Sequence, residues 1–307
     1  MTNRWGGVIP PLCTPLASGH EVDVASLERL VDHHLLSGVH GVFALGSAGE
    51  ATFLPDRQRR TVLETVAKRV AGQVPVFAGA IDTSTLRVLE HIRVASEVGC
   101  AAVVVTAPFY VTPHPAEVER HFRTVARQAE LPVLAYELPA AVHTSLQSDL
   151  VLTLAADGLI AGLKDSSGDD GRLRALATGF RALHESRPVL FTGSELTADD
   201  AVRHGVDGII AGLSNVDPAG YVRLFRAATA GDHIAAAEEQ ARLAGLQRIV
   251  DVAAARIGVT SARIGAMKAA LSVLGVIRSA AAATPQLPLN DHEIARIQVV
   301  LAESSVR

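Results

Sequence analysis

Few side chains in this sequence can do covalent chemistry, and their neighbours narrow what that chemistry is. Of 28 lysine and arginine residues only three are lysines: Lys68, Lys164 and Lys268. Lys164 ends the apolar run "LIAGLK" (159–164) and is followed by Asp165, Ser166 and Ser167. Burial at the end of such a run disfavours the ammonium form of a lysine. A neutral amine attacks a ketone or aldehyde to give an iminium, which acts as an electron sink. A guanidinium cannot do this, because it stays protonated. The plainer reading is an exposed lysine in a helix-entry loop, with Asp165, Ser166 or Ser167 as the cap.

Tyr136, in "YELP", is the second candidate. On a strand next to that of Lys164, its hydroxyl could shuttle the protons that carbinolamine formation and dehydration require; otherwise it is an amphipathic core tyrosine. The third candidate is "GSAGE" (46–50). Gly46 and Gly49 allow a sharp turn and close approach to a ligand. The N–H groups of Ser47 and Ala48 could then bind an anion. The stretch lacks the Gly-Lys-Ser/Thr ending of a P-loop, so a nucleotide phosphate is not expected. Glu50 reads as a first-turn helix acid or a partner of the loop. The twelve histidines contain no HExxH and no paired ligands at strand ends, so no metal is expected. Cys13 and Cys100 match no redox or metal spacing and read as buried free thiols.

These candidates need a scaffold that gathers them. Eight short, near-continuous apolar runs recur, each followed by a helical pattern. They cover 7–13, 41–46, 75–80, 101–107, 132–137, 159–164, 188–193 and 208–214. Such runs suit parallel strands covered on both faces. Eight β/α units in series predict an α/β chain folded as a (β/α)8 TIM barrel over residues 1–230, with chemistry at the C-terminal ends of the strands. Residues 231–307 are expected to form a C-terminal helical extension packed on the barrel, with helical segments at roughly 231–257, 261–275 and 290–304. The hydrophobic fraction of 49% supports a large core built mainly from aliphatic residues, since aromatics make up only 4%. A net charge of −4 gives no basic field for nucleic acid. No apolar stretch suits a membrane span and no signal-like core follows Arg4, so a cytoplasmic protein is expected.

At these strand ends the chain resembles the dihydrodipicolinate synthase / N-acetylneuraminate lyase family of pyruvate-dependent class I aldolases. "GSAGE" stands where the family has Gly-Thr/Ser-Thr/Ser-Gly-Glu, and "YELP" where it has Tyr-Asn-x-Pro. "GLKDSSGD" and "GVDGIIAGLSNVDP" match the segments at strands 6 and 8, and the likeness runs from "GVIPPLCTPL" to "AMKAAL". It implies that Lys164 forms the iminium with a 2-oxo acid, pyruvate, and that Tyr136 is the proton shuttle. Ser47 would hydrogen-bond that tyrosine and, with Ala48 N–H, hold the keto-acid carboxylate. Tyr110 would complete a proton relay across a subunit interface, and Gly193 and Ile210 would line the pocket through backbone groups. A homotetramer, a dimer of dimers, is implied, and no cofactor.

Two departures bear on the second substrate. Glu137 replaces the usual Asn, and Ala141 stands where synthases carry an arginine that grips the aldehyde's carboxylate. Losing that bidentate partner shifts the expectation from 4-hydroxy-tetrahydrodipicolinate synthase to a lyase that cleaves a 2-keto-3-deoxy sugar-type acid to pyruvate and an aldehyde. On that reading Glu137, Ser166 or His143 would meet the sugar hydroxyls. A Schiff-base dehydratase of a deoxy sugar acid uses the same iminium. A non-catalytic keto-acid-binding paralogue would need neither Lys164 nor Tyr136.

Overall fold

The computed structural model describes residues 5–17, 20–183 and 187–306. Eight strands, β1 (Gly7–Val8), β2 (Val42–Ala44), β3 (Val76–Gly79), β4 (Ala102–Thr106), β5 (Val133–Glu137), β6 (Gly162–Asp165), β7 (Val189–Thr192) and β8 (Gly208–Ile209), form one sheet. All pairings are parallel, in the order β1-β8-β7-β6-β5-β4-β3-β2. A parallel bridge between Pro11 and Phe43 joins β1 to β2 and closes the ring. All eight expected runs carry a strand, and the fold is the TIM barrel with added C-terminal helices.

The first and last strands are much shorter than their apolar runs. Pro10 and Pro11 have no N–H to donate, so the β1 ladder stops after two residues. A buried side chain takes over. The Asn215 amide nitrogen donates to Pro11 O at 2.8 Å and to Gly212 O at 2.9 Å, and its oxygen accepts from Cys13 N at 2.9 Å. One carboxamide, with a donor end and an acceptor end, replaces the missing rungs between the chain after β1 and the chain after β8.

Inside the barrel, Ile9, Phe43, Phe77, Val104, Leu134, Tyr136, Phe191 and Ile210 pack as a core separate from the larger one between strands and helices. Three of the eight phenylalanines therefore fill the lumen. Phe77 meets Phe191 edge-on at 6.1 Å, and Trp5 meets Phe77 at 5.0 Å. The alternation of strand side chains thus aims Tyr136 into the lumen.

The helices α1 (Val24–Leu36), α2 (Asp56–Val70), α3 (Thr85–Val98), α4 (Pro115–Gln128), α5 (Pro139–Val142), α6 (Ser148–Ala156), α7 (Asp170–Ala182), α8 (Ala198–Arg203) and α9 (Pro218–Thr229) surround the ring. Asp23 caps α1 by accepting from Ser26 N, as its place in the sequence predicts. Asp169, and not Asp165, Ser166 or Ser167, caps α7. Helices α10 (His233–Leu246), α11 (Val259–Val273) and α12 (Asp291–Glu303) follow, with a 3-10 turn at Gln247–Asp251. Among the described residues no helix is long and apolar enough to cross a membrane.

Candidate active site

The register of the sheet brings the two main candidates together. Tyr136 on β5 is the Cα partner of Lys164 on β6, and Lys164 is in turn the partner of Phe191 on β7. The Lys164 side chain is buried, at 3% exposure, although it lies one residue from the end of β6, at the barrel mouth. Its Nζ lies 4.1 Å from the centre of the Tyr136 ring and 5.1 Å from that of Phe43. The aromatic faces stabilise whatever positive charge sits there, ammonium or iminium.

The Tyr136 hydroxyl is the meeting point of the site. Burial pushes its pKa up. That is outweighed by the positive charge of Lys164 and by hydrogen bonds with Ser47, Lys164 and Ser166, so the phenol lies below its ordinary value. A phenol adjusted in this direction beside an amine can carry protons between amine, carbinolamine oxygen and water.

The "GSAGE" loop leaves β2 with a strained backbone. Leu45 (φ 57°) and Glu50 (φ 55°) both adopt the left-handed conformation, which costs a non-glycine residue on the order of 1 kcal/mol or more. Between them Gly49 N donates to Gly46 O at 3.0 Å and Glu50 N to Ser47 O at 3.1 Å. Among the described residues the N–H groups of Ser47 and Ala48 donate to no backbone carbonyl, which leaves a donor pair beside the Ser47 hydroxyl. Gly46 is needed because a Cβ there would lie 2.7 Å from the Phe43 ring. At the end of β7, a Cβ on Gly193 would lie 2.0 Å from Ser166 Oγ. Ile210 lines the same lumen from the end of β8 and donates from its N–H to Thr192 O at 2.8 Å.

Other candidates are placed elsewhere. Glu137 is buried, at 1% exposure, and its Oε2 accepts from Leu146 N at 2.7 Å, so its carboxylate holds the loop after α5 and does not stand open to the mouth. Burial also holds its pKa above the usual carboxylate range. Ala141 and His143 are exposed, on α5 and at its end. Tyr110 is 94% exposed with φ 85°, at the surface of the single chain. Both cysteines are free and buried, and burial raises Cys13 to about 12 and Cys100 to about 11. Among the described residues no group of three or more His, Cys, Asp or Glu side chains could hold a metal ion.

Sequence reasoning missed the partner of Glu50. Lys268, within the expected helical segment 261–275, is completely buried and ion-paired with the equally buried Glu50 directly behind the "GSAGE" loop. A lone lysine in an alanine-rich helix gives no sign of this. The only hint was that lysine is rare in the chain.

The chain matches the Dihydrodipicolinate synthetase family over residues 4–304. It is 36% identical over 237 residues to a 4-hydroxy-tetrahydrodipicolinate synthase of Stenotrophomonas maltophilia strain K279a, covering 77% of this chain and 78% of the relative. A synthase of the same name from Laribacter hongkongensis is 35% identical over 242 residues, covering 79% and 82% of the two chains. Among solved structures, YagE, a prophage protein of the dihydrodipicolinic acid synthase family from E. coli K12 in complex with pyruvate, superposes with a TM-score of 0.92 at 26% identity, covering 99% of both chains. The dihydrodipicolinate synthase of Bacteroides thetaiotaomicron gives a TM-score of 0.91 at 26% identity, covering 99% of this chain and 100% of the other. The relatives' name agrees with the synthase reading of the sequence, and not with the sugar-acid lyase placed ahead of it.

Proposed function

The chain belongs to the dihydrodipicolinate synthetase family and is a carbon–carbon lyase of the pyruvate-dependent Schiff-base aldolase class; from that premise we propose that Lys164 is its Schiff-base residue and Tyr136 its proton shuttle. The observation that carries this reading is the Tyr136–Lys164 pairing, with Nζ 4.1 Å from the ring and the phenol held below its ordinary pKa. Unprotonated Lys164 Nζ attacks the carbonyl carbon of pyruvate, Tyr136 passes a proton to the carbinolamine oxygen, and water leaves to give the iminium. Loss of a proton from C3 gives the enamine, which attacks an aldehyde; the reverse sequence cleaves a 2-oxo acid. Ser47 Oγ and the N–H groups of Ser47 and Ala48 hold the carboxylate, and Gly46, Gly193 and Ile210 shape the floor. Pyruvate followed by borohydride should leave a reduced adduct that maps to Lys164 and to neither Lys68 nor Lys268. Trapping that persists in Lys164→Arg, or an adduct on another residue, overturns the assignment.

For the second substrate, the relatives' name supports the synthase reaction, in which pyruvate condenses with aspartate semialdehyde. Ala141 favours the second reading, cleavage of a 2-keto-3-deoxy sugar-type acid, because no arginine stands there to grip a second carboxylate. Measuring kcat/KM for both reactions on one preparation separates them: synthase activity equal to or above the best sugar-acid cleavage refutes the argument from Ala141. We further propose that residues 231–307 act as an extension of the barrel, and that the protein assembles as a homotetramer in which Tyr110 reaches a neighbouring site. Since a similar structure is of a monomeric synthase variant, light scattering on the purified protein is the direct test of assembly.

A further inference from the structure

The Glu50–Lys268 pair has no part in the chemistry above, yet it is among the most deeply buried charge pairs in the molecule, with both side chains at 0% exposure. Each partner makes a second bond to the segment after α11. Ala283 N donates to Glu50 Oε1 at 2.7 Å, and Lys268 Nζ donates to Ala281 O at 2.8 Å. Thr14 Oγ1 donates to the adjacent Gly49 O at 2.7 Å, so residues 49 and 50 are held from two sides. A buried ion pair is costly to desolvate, and a well-packed apolar pair often gives equal or greater stability. Its presence therefore asks for a reason other than stability. The reason is at hand in the backbone: Glu50 is the left-handed residue that ends the loop, and the free N–H groups of Ser47 and Ala48 lie two and three residues before it. A strained conformation persists only where its surroundings overdetermine it. The ammonium suits the site better than the guanidinium that the chain uses almost everywhere else. It is a compact charge that here needs one carboxylate and one carbonyl, whereas a planar fork brings five donors to be satisfied.

We propose that Glu50 and Lys268 are a positioning pair that fixes the "GSAGE" loop so that Ser47 and Ala48 present their donors to the carboxylate of the keto acid, which makes the C-terminal helices part of the substrate-binding scaffold. This rests on the Schiff-base reading above. It predicts that disrupting the pair weakens recognition of the carboxylate while leaving the amine's reactivity toward a ketone intact.

The test compares pyruvate with acetone, a ketone without a carboxylate, in borohydride trapping of the full-length protein. The Glu50→Gln/Lys268→Met variant removes both charges and keeps an acceptor for Ala283 N. Its half-saturating pyruvate concentration should rise about tenfold or more, the scale of one lost charge-assisted contact. Trapping at saturating pyruvate, and trapping with acetone, should stay within about twofold of the parent, the signature of lost binding in place of lost chemistry. Lys268→Arg, which keeps the charge, should fall between the two. Should the double variant not fold, Glu50→Gln alone is held to the same pyruvate-to-acetone ratio. An unchanged ratio in a folded variant, or equal losses with both ketones, overturns the proposal. Failure of the parent to trap pyruvate at all overturns the Schiff-base reading instead, so the two failures are distinct.

Discussion

Gly193→Ala tests the geometry of the Tyr136 hydroxyl without touching Tyr136 or Lys164. The added Cβ would sit 2.0 Å from Ser166 Oγ, 3.0 Å from Ser166 Cβ and 3.2 Å from Asp165 O. The backbone cannot easily retreat, because Gly193 N donates to Asp165 O at 2.7 Å. The Ser166 hydroxyl is the movable atom, so it must rotate away and leave Tyr136. The phenol then loses one of the hydrogen bonds that, with the charge of Lys164, offset its burial. A hydrogen bond to a charged group contributes about 1.5 kcal/mol or more, so the phenol pKa should rise and adduct formation should slow about tenfold near neutral pH. Borohydride trapping with pyruvate between about pH 6 and 10 reads both quantities; the rising limb of the profile should move to higher pH. Ser166→Ala should reproduce the shift, and Gly193→Ala added to Ser166→Ala should cost less than about a further twofold, since the remaining contacts at 3.0 and 3.2 Å ask only small adjustments. If the two losses multiply, or if the single variant keeps the parent's profile, Ser166 does not tune Tyr136 and the reasoning fails.

Three further outcomes follow from other parts of the molecule. Asn215→Ala leaves the buried Cys13 N–H and the Pro11 and Gly212 carbonyls without this partner; it should destabilise the fold by about 3–5 kcal/mol in urea titrations, and a loss under about 1 kcal/mol contradicts its place in closing the ring. Burial lowers the His121 pKa from 6.5 to about 4, and His33, His34, His40 and His91 are shifted the same way. The folded state therefore binds fewer protons than the unfolded one in this window, so stability should fall as pH drops from 6.5 toward 4, by about 3 kcal/mol from His121 alone; His121→Gln should flatten the slope. Ala141→Arg should raise kcat/KM for aspartate semialdehyde by about tenfold or more, and no gain means that a missing arginine is not what limits that reaction.

The periodicity of the sequence located all eight strands because parallel strands covered on both faces are written as short apolar runs. It also placed Tyr136 and Lys164 at neighbouring strand ends, since each lies at or next to the end of such a run. Apolar character alone could not show where the ladder stops. The two prolines after Ile9 cut β1 short, and the residue that compensates, Asn215, lies some two hundred positions away. Lys268 was unreadable for a similar reason: a buried lysine differs from a solvated one only by its partner, and Glu50 is distant in sequence. Glu137 was expected to meet substrate hydroxyls; the structure adds that its carboxylate accepts from Leu146 N, in a loop that the sequence does not fold in advance. The relay expected of Tyr110 would draw on a neighbouring subunit, a contact that patterns within one chain do not encode.

Lys164 and Lys268 are both buried, and only Lys68, on α2, is exposed. The outer positive charge of the molecule is therefore carried almost wholly by guanidinium groups. On the proposed reading this enzyme works among aldehydes and keto acids, the same compounds that condense indiscriminately with protein amines. A coat of arginine offers them little to attach to. The chain confines its reactive nitrogen to the one place where attachment is the purpose, and leaves a single exposed lysine side chain open to chance adducts or to any mark written on lysine.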